Sequence, residues 1–98
     1  MVIVGGSFEV EPEQREEFLA GRLDAIRASR AEAGCLEYSL MPDPIEPGRV
    51  VLYERWADQA ALDAHLVGAR QTPPAPGGVT PKSATITVFD ISGERNLS

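Results

Sequence analysis

The chain has 98 residues, 43% of them hydrophobic and 24% charged, which suits one folded domain and excludes a disordered chain. Its 15 acids outnumber 9 bases for a net charge of −6, and Lys82 is the sole lysine, so no basic patch for nucleic acid or for an anionic membrane surface is expected. No apolar run approaches the roughly 18 residues that span a bilayer, Met1-Val-Ile-Val lacks a basic signal-peptide start, and the single Cys35 cannot form an internal disulfide. Together these predict a cytoplasmic protein.

Residues 2–10 alternate as a strand. Val2, Val4, Gly6, Phe8 and Val10 share one parity and Ile3, Gly5, Ser7 and Glu9 the other. The Gly5-Gly6 pair weakens a strand interior and suggests a bulge or a close approach by another segment. Pro12 then suits a helix start. The stripe Phe18, Leu19, Leu23, Ile26, with acids early and arginines late, predicts one helix over about 13–32, terminated by Gly34.

Residues 35–41 read as a second strand, with Leu36, Tyr38 and Leu40 on one side. Residues 42–48 hold three prolines and a glycine and read as a hairpin loop. A third strand over 49–57 places Val50, Leu52, Glu54 and Trp56 on one face and Val51, Tyr53 and Arg55 on the other. Asp58 is a fitting N-cap for a short helix over 59–67 carrying Leu62 and His65. Residues 68–82, rich in proline and glycine, read as a long loop. A fourth strand covers 83–92, opposing Ala84, Ile86 and Val88 to Thr85, Thr87, Phe89 and Ile91, and a polar tail closes the single domain at 93–98.

This order, βαββαβ, predicts a ferredoxin-like α+β sandwich: a four-stranded antiparallel sheet with two helices on one face. The other face would carry Ile3, Val51, Tyr53, Phe89 and Ile91. That is too apolar to leave in water, and a second copy packed against it would make a homodimeric barrel.

The segments Gly34-Cys-Leu-Glu-Tyr-Ser-Leu40 and Leu52-Tyr-Glu-Arg-Trp-Ala-Asp-Gln-Ala-Ala-Leu-Asp-Ala-His-Leu66 resemble the antibiotic biosynthesis monooxygenase family of dimeric α+β barrels. The resemblance implies a homodimer with a pocket between sheet and helices in each subunit. It also implies oxidation of a phenol, quinol or aromatic polyketide by molecular oxygen without metal, flavin or haem. Such chemistry needs a pocket that binds an aromatic ring, accepts its proton and excludes water. The candidates are His65 and Trp56 for catalysis, with Tyr38, Glu54, Gly6 and Phe8 as ligand contacts. A non-catalytic protein that binds a small aromatic molecule is the alternative. Haem-degrading relatives in the same superfamily pair a Trp after the third strand with a His on the next helix, as Trp56 and His65 do. Their first-strand Asn falls near Gly6 here.

Each candidate also has a plainer role. Trp56 can be core, His65 a packed or capping residue, and Tyr38 and Tyr53 aromatic packing on the sheet. Glu54, buried beside Trp56, calls for a partner such as Arg22 or Arg27, or else lines a polar pocket. Arg55 on the open face suggests an ion pair across subunits. Cys35 reads as an inert thiol, and one His with one Cys supplies no metal-ligand set.

Overall fold

The computed structural model describes residues 1–71 and 78–98. Its elements are β1 (Val2–Glu9), a 3₁₀ turn (Pro12–Gln14), α1 (Arg15–Ala20), α2 (Leu23–Arg30), β2 (Cys35–Pro42), β3 (Arg49–Trp56), α3 (Gln59–Gln71) and β4 (Ser83–Asp90). The strands form one antiparallel sheet in the order β2-β3-β1-β4, the ferredoxin-like arrangement. The core lies on the predicted face. Val2, Val4, Leu52 and Trp56 pack with Leu62 of α3, while Val10 and Val50 pack with Phe18 of α1.

Three details differ from the sequence reading. The single helix over 13–32 is broken. The Arg22 amide bonds the Leu19 carbonyl at 3.1 Å, a tightened i→i−3 turn at Gly21-Arg22, and α2 restarts as Ile26 N–H reaches the Arg22 carbonyl at 2.9 Å. The helix expected to stop at 67 instead runs through Gly68 to Gln71. Gly68 would have nothing within 4 Å of an added Cβ, so it is a surface helix glycine. Its cost of about 1 kcal/mol is small enough for Ala69-Arg70-Gln71 to continue the helix. Of the loop expected over 68–82, residues 72–77 lie outside the described residues. Finally, the register of β2 shifts between Cys35 and Glu37. The bulge puts Leu36 out into solvent, 48% exposed, instead of in line with Tyr38 and Leu40.

Two glycines meet close neighbours. A Cβ on Gly6 would strike the Thr85 carbonyl and lie 2.9 Å from the Ile86 Cα, so the expected close approach is that of β4. Gly34 sits at φ +81°, and a Cβ there would fall 2.5 Å from the Ala61 Cβ. The α2–β2 turn can therefore press against the first turn of α3 only with glycine at this position. That first turn is capped as expected, with the Ala61 amide donating to Asp58 Oδ1 at 2.8 Å.

Asp43 organises the loop over 43–48. Its Oδ1 accepts from the Ile45 and Glu46 amides at 2.8 and 3.0 Å, and its Oδ2 takes the Arg49 guanidinium at 2.7 Å. These bonds, the backbone ones foremost, lower its carboxyl to a pKa of about 2 from an ordinary 3.8. Because the folded value lies below the unfolded one, the stabilisation is present above about pH 3.8 and lost as pH falls toward 2. Asp43→Asn is expected to melt below the wild type at neutral pH, with the gap closing across that acid range. A gap that did not narrow in an acid melting series would refute the assignment.

Candidate functional site

The site begins with strand parity. Glu54 and Trp56 stand two residues apart on the helix-facing side of β3, both buried, and Tyr38 of β2 pairs with Glu54 in register. α3 lays His65 across this row. The imidazole stacks on Trp56 at a centroid distance of 4.7 Å and 35°, and touches Tyr38 at 5.6 Å. Glu54 therefore does not pair with Arg22 or Arg27. Its Oε1 accepts from the Trp56 Nε1–H at 2.9 Å and lies 4.0 Å from His65 Nε2. A neighbouring indole on the same strand answers the buried acid more cheaply than a long arginine reaching in from the helix layer.

Beyond α2, Glu32 reaches back to His65, with its two carboxylate oxygens 3.0 and 3.2 Å from Nδ1. A carboxylate only accepts, so Nδ1 carries a proton, and whenever the ring is neutral its lone pair is on Nε2. At 4.0 Å from Glu54 that lone pair is not hydrogen-bonded. Burial pushes the Glu54 carboxyl above its ordinary value, with the Glu32 charge adding to the rise, while the Trp56 bond and His65 pull the other way. Burial also raises the Tyr38 phenol, helped by the Glu54 charge. Tyr38 thus keeps its proton at neutral pH and can donate it to a ligand.

Among the described residues, a cavity of about 860 Å³ opens on the other side of His65 and Tyr38. Its walls include Phe18 of α1, Arg22 at the helix break, Ser29 of α2, Glu32, and Val79 to Pro81 ahead of β4. That volume lies within the range of about 300–1,000 Å³ typical of small-molecule sites. The sequence candidates divide accordingly. Tyr38 and His65 line the cavity. Trp56 and Glu54 stand one layer behind and hold His65. Phe8 is covered by Phe18 at 5.5 Å, with Arg22 above it at 5.7 Å. Gly6 is closed off by β4. Glu32 and Arg22 were not singled out as site residues from sequence. The first lies 33 positions from His65, and the second was hidden in what reads as a continuous helical stripe.

Cys35 donates weakly to the Glu37 carbonyl at 3.6 Å, and burial raises its thiol pKa. On the open face, Arg55 makes no ion pair among the described residues, and its Nε is buried without a partner. β4 is exposed along its length, including Ile86 and Val88 on the helix-facing side, at 45% and 48%. The helices pack over β1, β2 and β3. Among the described residues no helix is long and apolar enough to cross a membrane.

Residues 1–70 match the family model described as antibiotic biosynthesis monooxygenase. An uncharacterised Synechocystis protein, sll1783, is 39% identical over 74% of this chain, which spans only 46% of that protein's length. The Bacillus subtilis protein named "Putative monooxygenase YcnE" is 37% identical over 66% of this chain and 68% of its own. A Deinococcus radiodurans crystal structure described as a "putative antibiotic biosynthesis monooxygenase" superposes with a TM-score of 0.85 at 26% identity, covering 100% of this chain and 99% of that one.

Proposed function

The chain belongs to the antibiotic biosynthesis monooxygenase family, and from that premise we propose that it oxidises a phenolic, quinol or anthrone-like substrate with molecular oxygen in the cavity beside His65. The observation that carries this reading is the Glu32–His65 pair on the cavity wall. Glu32 orients the ring, and the Glu32–His65 pair, both members of which line the cavity, is the acceptor for a substrate proton. The proton taken up there sits between two carboxylates, Glu32 and Glu54, which stabilise the imidazolium. Tyr38 donates to a substrate oxygen, and Phe18 offers an aromatic wall.

Loss of the substrate proton leaves an electron-rich anion that itself reduces oxygen. For an anthrone, the methylene carbon loses two hydrogens and gains one oxygen atom, and the second oxygen atom leaves as water. The substrate supplies all the electrons, so no external reductant is needed. Haem ligation gains no support from this geometry. The first-strand Asn of haem-degrading relatives falls near Gly6 here, which has no side chain to hydrogen-bond and is closed off by β4.

The open face of the sheet, with Ile3, Val51, Tyr53 and half-exposed Phe89, is the surface by which two copies would pair. Arg55, with its buried unpartnered Nε, would find its acceptor there.

Oxygen uptake over a panel of hydroquinones and anthrones, with products identified by mass spectrometry, tests the reaction. Turnover above the buffer rate is the expected result. Melting-temperature shifts with no product from any compound would replace the enzyme with a binding protein.

A further inference from the structure

Arg22 is the one arginine or lysine among the described residues lining the cavity. Its guanidinium carbon lies 4.9 Å from the Phe18 ring centroid and 5.7 Å from that of Phe8. No carboxylate stands within ion-pair distance of it among the described residues, and its side chain makes no hydrogen bond to them. Of the acids lining the same cavity, Asp24 pairs with Arg27 at 3.3 Å and Glu32 is taken by His65, while Glu17 makes no ion pair among the described residues and stands outside ion-pair distance of Arg22.

Two rings lie beside the charge, and aromatic rings position a guanidinium without neutralising it. Rings accept none of its N–H bonds in full, and the guanidinium fork matches a carboxylate. Arg22 can take this place because the helix breaks at Gly21-Arg22, where the side chain leaves the regular helical surface.

We propose that the cavity is built for an aromatic carboxylate, its acid group clasped by Arg22 and its ring directed toward Tyr38 and His65. The inference rests on the cavity being the ligand site proposed above, and it narrows the substrate class to aromatic acids. The negative charge of the chain opposes any anion at long range, so recognition is read as a preference between an acid and its neutral ester.

Gentisate and a hydroxynaphthoate, each compared with its methyl ester, separate the possibilities by calorimetric binding without any turnover. The acids are expected to bind at least about tenfold tighter than the esters, as a charge-assisted bidentate pair implies, and the preference should shrink as salt is raised. Arg22→Gln is expected to abolish the preference and Arg22→Lys to retain part of it. Arg95→Gln, in the exposed tail, should leave it unchanged. Circular dichroism shows whether each variant is folded. Equal binding of acid and ester, no binding by any acid, or a preference that survives in Arg22→Gln would each overturn the proposal. Acid preference without oxygen uptake would keep the carboxylate site and remove the oxidation.

Discussion

Replacing His65 with Gln is expected to lower kcat/KM for substrate oxidation by about two to four orders of magnitude, the range that a positioned general base contributes. The substitution keeps a polar group of similar reach beside Glu32. It removes the imidazole that, paired with Glu32 on this wall, takes the proton of a phenol and hands it back. The loss should fall on kcat, because a proton moved in the transition state is not a ground-state contact. The Arg22 contact, by contrast, should act mainly on KM. Glu32→Gln is the milder companion. An amide can turn its oxygen to Nδ1–H but brings no charge, so His65 stays placed while its protonated form loses support. Stopped assays on both variants, with melting curves to show that the fold survives, decide the matter. Full activity in His65→Gln would take the proton step away from this residue.

The largest effect on stability is expected at Trp56. It is completely buried and carries both the packing of β3 against α3 and the hydrogen bond to Glu54. Trp56→Ala should cost about 3–5 kcal/mol. For a domain of this size each kcal/mol corresponds to about 4–8 °C in Tm, so a fall of more than about 12 °C is expected, and the protein approaches the limit of a stable fold.

Trp56→Phe separates the two roles. It keeps an aromatic ring but removes the N–H together with part of the indole volume, so a packing loss independent of pH accompanies the loss of the donor to Glu54, the latter at about 1–3 kcal/mol. The folded pKa of Glu54 is already raised above 4.5, so between that value and the folded one the native state binds more protons than the unfolded state. Stability therefore falls as pH rises through this window. Losing the indole donor raises the folded pKa further, so the penalty of Trp56→Phe should be largest at neutral pH and shrink on acidification. Denaturant titrations at several pH values give the answer. A penalty independent of pH would mean that Glu54 does not depend on the indole.

The sheet was legible from the chain because its strands alternate cleanly. The parity that puts Val50, Leu52, Glu54 and Trp56 on one face of β3 is the one observed, and the Asp58 cap marks the start of α3. What escaped was set by neighbours distant in sequence or by small local costs. The break at Gly21-Arg22 falls inside the apolar stripe of Phe18, Leu23 and Ile26 and leaves Leu23 47% exposed, which the periodicity of the sequence does not register. Gly68 carries a stop signal that the helix overrides, and the bulge at Leu36 displaces one residue from an otherwise regular alternation.

The candidate site was half legible. Trp56, His65, Glu54 and Tyr38 do gather in one place. Glu32 is supplied by the start of the α2–β2 connection, and no spacing rule ties it to a residue on α3. A signal for the partner of Glu54 is present in the chain, since Trp56 is two residues on and therefore on the same strand face, but charge pairing alone points to an arginine.

The most direct measurement is the fate of isotope-labelled molecular oxygen. An anthrone or hydroquinone from the active panel is incubated with the wild-type protein under labelled oxygen gas, and the product is weighed by mass spectrometry. One labelled atom per product molecule, at a rate that His65→Gln reduces, is the expected result. A product whose new oxygen comes from water, or labelling that proceeds as fast in His65→Gln as in the wild type, would contradict the assignment of the oxidation to this cavity.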